Sequence, residues 1–220
     1  MSHPSHAFLP GASKRLEALS DGVFAIASTL LVLEIKVPEL EKGFSQKELV
    51  HALTEILPSF IAFVFSFLNI LVFWVNHDAI NKVILRYDTK TTYLNIVFLL
   101  FISLIPFTAS FISRYPDSFI AITIYGLVLF FSSLSGAMMY HHLAFRNKLF
   151  IPAVTMASRK KIWRLIVSGP VLFAVAIAGG LISVYIPIFI YAIIPVIFMF
   201  MPQLDFDSTE EEREKKNHPG

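Results

Sequence analysis

Cysteine is absent from the 220 residues, which removes disulfides, thiolate metal sites and thiol nucleophiles together. Charge is scarce as well. Asp, Glu, Lys and Arg make up 15% of the chain, against about 25% in an ordinary soluble domain. No GxSxG, HExxH, Walker or GxGxxG pattern occurs, nor a TVGYG-type filter, and no primary-sequence repeat is visible. With no nucleophile–base pair in view, an intramembrane enzyme is the weakest functional class. The first apolar run has no small-residue cleavage pattern behind it, so no cleavable leader is expected. What abounds is apolar surface: 55% hydrophobic residues, 22 of them Phe, and a mean hydropathy of +0.67. The chain reads as an all-α integral membrane protein. Its net charge of +2 carries no nucleic-acid signal, because the basic residues are confined to loops.

Uncharged runs mark the spans. The first helix is read over Lys14–Pro38, the second over Ile56–Asn76 and entered from about Lys47, the third over Thr91–Ser113 and the fourth over Ser118–Tyr140. Leu165–Leu204 holds forty uncharged residues, roughly twice the ~20 that one span needs. Two short helices turning near Tyr185-Ile186-Pro187 are expected there, with Pro195 kinking the sixth; Gly179-Gly180 is the other candidate break. Six transmembrane helices therefore occupy residues 14–204, between a tail at 1–13 and a charged tail at 205–220. In that last tail Ser208 or Thr209 caps a short helical turn, with Glu211–Lys215 and Glu212–Lys216 paired.

Lys and Arg orient the bundle. They gather before helix 1 (Lys14, Arg15), between helices 2 and 3 (Lys82, Arg86, Lys90) and above all between helices 4 and 5 (Arg146, Lys148, Arg159, Lys160, Lys161, Arg164). The helix 1–2 loop is mixed, with Lys36, Lys42 and Lys47 among Glu39, Glu41 and Glu48. The expectation is a multi-pass protein of the cell membrane with both termini cytoplasmic. The basic residues of the 4–5 loop set topology and touch anionic headgroups.

Helix 1 is the anomaly. Its longest uncharged run, Gly22–Leu33, has twelve residues, about 18 Å of helix against a hydrocarbon core of ~30 Å. Such a helix belongs inside a bundle. At about 100° per residue, Ile26, Leu30 and Leu33 form an apolar stripe edged by Thr29, while Asp21 falls on the other side, with Ser20 between. Arg15 and Asp21, six residues apart, do not face each other. Asp21 is expected to meet donors on other helices, with Trp74, Asn76, His77 and Asn95 as candidates. This cluster is either an ion-binding or proton-sensing group or a hydrogen-bond network that fixes packing. On sequence alone the stripe reads as an ordinary apolar packing face sooner than as a pore lining. His141-His142 has no carboxylate or third ligand at suitable spacing and reads as interfacial, with no metal site. His51 and Glu55 form a solvated pair.

The stretch Arg15-Leu16-Glu17-Ala18-Leu19-Ser20-Asp21 resembles the RxxxFSD signature of the transmembrane protein 175 family, endosomal and lysosomal potassium channels with bacterial relatives. Leu19 stands in place of the Phe, and Asp78 where relatives often carry a second His. Gly22–Ile26 and Thr29–Leu33, then Trp74 and His77, then Asn95 with Phe101–Phe107, are similar to the family's first three helices. The resemblance implies a bacterial single-repeat subunit of a homotetramer, with helix 1 lining a central pore. It implies Ile26, Leu30 and Leu33 as apolar constrictions, Thr29 as a hydroxyl ring near which K+ passes transiently, and Arg15, Ser20 and Asp21 as structural, bonded to Trp74, His77 and Asn95. Potassium ions and membrane lipids are then the partners, with no cofactor. The competing function is a proton-coupled secondary transporter using Asp21 and His77. A non-conducting scaffold is the third.

Overall fold

A backbone surrounded by hydrocarbon must satisfy its polar groups internally, so long apolar runs fold as helices. The computed structural model describes residues 10–85, 87–146, 149–151 and 154–200. It contains α1 (Pro10–Leu30), α2 (Gln46–Glu55), α3 (Leu57–Asn81), α4 (Thr89–Arg114), α5 (Phe119–His141), α6 (Met156–Gly179) and α7 (Tyr185–Phe200). Five stretches are long and apolar enough to cross a membrane; the sixth apolar helix is shorter, Tyr185–Met199. The tail at 205–220, with its expected cap at Ser208 or Thr209, lies outside the described residues, as do residues 1–9.

Four boundaries differ from those expected. α1 starts at Pro10, a turn before Lys14, and after Leu30 tightens into a 3-10 turn, Leu31–Glu34. The approach to helix 2 is a separate amphipathic helix, α2, capped reciprocally by Ser45 and Glu48. Pro58 then opens α3, where its missing N–H costs nothing. α3 runs on to Asn81, so Asn76 and His77 sit within the helix rather than at its end. The α6–α7 turn follows Gly179-Gly180, not Tyr185-Ile186-Pro187, which begin α7. The turn is tight around glycine: a Cβ on Gly180 would stand 3.0 Å from the Phe119 ring and 3.1 Å from the Ile177 carbonyl, closer than ordinary contact. Pro187, in the first turn of α7, is where a helix tolerates proline.

α1 packs against α3 and α4, α4 against α5, α5 against α6, and α7 closes on α3 and α6. Phe24, Ile70, Phe98, Ile102, Leu129, Phe173 and Tyr191 form the central core. A second core lies at the end carrying the α3–α4 and α5–α6 loops, the basic end of the bundle, around Tyr140, Leu143, Phe150 and Ile162. There the two loops cross as a short antiparallel bridge, Ile84 with Phe150, in which Leu85 donates to Leu149 (2.8 Å) and Ile151 to Val83 (3.0 Å).

That crossing is tied by a pair that sequence spacing conceals. His142 is buried, and its Nε2 lies 2.8 Å from Asp88 Oδ2, 54 residues away in the chain. The interfacial placement expected for His142 is therefore corrected: no local spacing reveals a carboxylate supplied by another loop. Asp88 also caps α4, accepting from the Thr91 amide (2.8 Å) and hydroxyl (2.6 Å). Asp88→Ala removes both functions and is expected to destabilise by more than the ~1 kcal/mol of a lost cap. Asp88→Asn keeps the cap and weakens only the His142 contact, so its loss should be the smaller. Thermal unfolding of the purified variants, followed by size exclusion, measures both.

Candidate functional site: α1 between a polar network and an open face

α1 presents two unlike sides. On the inner side Ser20, Phe24, Ala27, Ser28 and Leu31 are buried. Ser20, 1% exposed, donates from Oγ to the Leu16 carbonyl (2.9 Å) and accepts from Asn95 Nδ2 (3.0 Å). Asn95, fully buried on α4, has its Oδ1 2.7 Å from His77 Nε2. His77 on α3 is stacked on Phe98 at 5.6 Å, and its Nδ1 lies 3.2 Å from Asn81 Nδ2. Asn81 Oδ1 in turn accepts from the Tyr87 hydroxyl. Burial, with the Glu17 carboxylate nearby, raises the Tyr87 pKa well above its ordinary value, so the phenol stays a donor. Every partner in this series is satisfied when His77 is neutral and carries its proton on Nε2, a tautomer assigned from the network itself.

The other polar candidates fall outside that series. Trp74 Nε1 donates to Asp21 Oδ1 at 3.0 Å, and both side chains are exposed at the flank of α1 and α3. Arg15 is exposed and hydrogen-bonded to none of these groups. Asn76 is turned away from Asp21; it lines a crevice with Asn69, Ser132 and Ser133. Two residues apart on a helix point about 200° apart, which is why Trp74 and Asn76 cannot both reach α1. Of the four donors considered for Asp21, then, only Trp74 bonds it. Asn81, missing from the candidates, shares the i,i+4 face of His77, a signal present in the sequence. Asn69, which donates to the Tyr191 carbonyl (3.1 Å), and Ser66, bonded to the Tyr125 hydroxyl (2.9 Å), had no such signal.

The outer side of α1 is uncovered. Ile26 is 60% exposed, Leu30 43% and Leu33 69%, with Gly22, Ala25 and Thr29 also open. The 3-10 turn matters to this alignment. At about 120° per residue, three steps return Leu33 to the direction of Leu30, so the column continues past the end of the α-helix. Successive side chains along it are ~6 Å apart. Thr29 Oγ1 donates its proton to the Ala25 and Ile26 carbonyls (2.9 and 3.0 Å), which leaves its lone pairs outward. An oxygen held that way can accept or meet a cation, but it is not free to donate. Among the described residues no group of His, Asp and Glu gathers that could hold a metal ion.

A multi-pass α-helical membrane protein with one span left open along an apolar, threonine-edged face is the class that this geometry defines. The profile described as "Endosomal/lysosomal potassium channel TMEM175" matches residues 15–106, a stretch that includes every candidate residue above. A relative from Chamaesiphon minutus, named as a potassium channel, is 34% identical over 84% of this chain and 92% of its own. One from Streptomyces collinus, also named as a potassium channel, is 38% identical over 64% of this chain and 69% of its own. The crystal structure of a lysosomal potassium-selective channel TMEM175 homolog from Chamaesiphon minutus superposes with a TM-score of 0.76, at 33% identity, over 86% of this chain and 97% of that one. A variant of the potassium channel MtTMEM175, at 19% identity and a TM-score of 0.59, shares the fold. The chain belongs to the TMEM175 family, a family of ion channels rather than enzymes.

Proposed function

We propose that this chain is one subunit of a homotetrameric potassium-permeable channel, with α1 of each subunit lining a shared axis. Both termini face the cytoplasm and the protein resides in the cell membrane. The observation that carries the proposal is the uncovered column Ile26–Leu30–Leu33 with Thr29 beside it, on a helix too short in its apolar stretch to face lipid. Four copies of that column make stacked apolar rings, which close a pore by excluding water and need no charged gate. Thr29 offers four outward oxygens that partly replace the hydration of a passing K+. A single side-chain ring discriminates K+ from Na+ less sharply than several stacked carbonyl rings. The polar network on the inner side supports the division of labour: Ser20, His77 and Asn95 hold α1 against α3 and α4, and Asp21 with Trp74 braces its flank. Arg15 then serves the membrane interface rather than the network.

The test is flux through purified protein in planar bilayers. The expected currents reverse at the potassium equilibrium potential and need no counter-gradient. Obligate electroneutral exchange of protons would reject the channel in favour of a transporter, and an absence of flux would leave a scaffold.

A further inference from the structure

On the outer flank of the α5–α6 hairpin, away from α1, lies an open basin of about 470 Å³ lined by His141, Phe145, Lys160, Trp163 and Arg164. Its size falls within the ~300–1,000 Å³ usual for ligand sites. Three rings build its wall. His141 and Trp163 stand 5.0 Å apart, His141 and Phe145 5.3 Å, and Phe145 and Trp163 meet edge-on at 6.2 Å. Lys160 and Arg164 sit at i,i+4 and so rise from one face of α6 on the same side as Trp163.

The neighbouring cation shows by contrast what these two are not doing. Arg159 is absorbed by the fold: it donates to the Val154 and Ala144 carbonyls (both 3.1 Å) and lies over the Phe150 ring at 5.5 Å. Among the described residues, Lys160 and Arg164 form no salt bridge and no carboxylate lines the basin. The basin also sits at the basic end of a membrane span, where apolar rings meet the headgroup layer and a tryptophan is at home.

We propose that this basin binds an anionic phospholipid. Lys160 and Arg164 take the phosphodiester between them, and the Trp163 and Phe145 rings pack against the glycerol and the first methylenes of the acyl chains. Phosphate suits the pair, because the guanidinium offers a two-pronged donor and the ammonium a point charge. The site is separate from the α1 face and does not depend on which ion, if any, passes there.

The experiment uses the full-length protein in phosphatidylcholine nanodiscs containing brominated phosphatidylglycerol. The reporter is the part of the tryptophan quenching that disappears in Trp163→Phe. Lipid retained by the detergent-purified protein in native mass spectrometry is the second readout, and it does not depend on Trp163. Lys160→Ala and Arg164→Ala should each weaken phosphatidylglycerol binding roughly fivefold. Lys161→Ala, which removes the same charge one residue away and does not line the basin, should change it less than twofold. Inorganic phosphate should not compete. The proposal fails if Lys161→Ala matches Lys160→Ala, since only general surface charge would then be at work. It also fails if brominated phosphatidylcholine quenches Trp163 equally, or if inorganic phosphate displaces the lipid and marks the basin as a site for a soluble anion. All substituted cations are exposed, and elution at the wild-type volume verifies assembly.

Discussion

Ile26→Asn and Leu30→Asn are expected to raise single-channel conductance or basal leak about tenfold, the effect of removing a barrier of ~1.4 kcal/mol. The reasoning is local. Ile26 is 60% exposed and Leu30 43%, so a polar replacement at either position opens little buried space. Its consequence falls on whatever occupies the space outside α1. If that space is a narrow aqueous axis, four added amides hydrate a ring that otherwise sheds water. If it is lipid or another protein surface, conductance stays at the wild-type level and the pore assignment is wrong. Thermal stability should be nearly unchanged, which separates this outcome from misfolding. Leu33→Asn should behave alike, because the 3-10 turn keeps it in the column.

Asn95→Ala is expected to do the reverse, damaging the assembly and leaving the ion preference of any surviving channel intact. Asn95 is hydrogen-bonded to both Ser20 on α1 and His77 on α3. Its removal strands two groups that are 1% and 3% exposed. Buried groups left without partners cost about 1–3 kcal/mol each, and somewhat less where the unfolded chain also stays in the membrane. The protein should therefore melt lower in detergent and elute partly dissociated. Melting at the wild-type temperature would mean that the network is incidental to how α1 is held. Asp21→Ala should cost less, since the bond it removes is exposed.

The membrane class and the spans were legible because hydrocarbon imposes so strict a rule on composition. The two sides of α1 were legible for a similar reason: a helix maps sequence spacing directly onto angle. The six-helix topology also placed Asp21, Trp74, His77 and Asn95 at one depth, while the bonding of Ser20 came from the family resemblance alone. What spacing did not disclose depends on contacts between distant segments. Asp88 announces itself as an N-cap before Thr89, yet nothing near it foretells His142. At the α6–α7 turn the glycine pair, not the proline, marks where the helix ends. In a tight turn against Phe119 the absence of a side chain decides, whereas a proline three residues into a helix is no obstacle.

The series from Tyr87 through Asn81, His77, Asn95 and Ser20 to the Leu16 carbonyl has a polarity of its own. With the amides and the His77 tautomer assigned as above, every hydrogen in the series points toward the Leu16 carbonyl, an acceptor that can only receive. With that tautomer held, turning the Asn95 amide sets its NH2 against the His77 Nε2–H, donor against donor. Side chains of α1, α3 and α4 are thereby joined in one continuous series. A subunit that leaves one face of α1 uncovered gains from a clasp that holds the other face against two neighbouring helices.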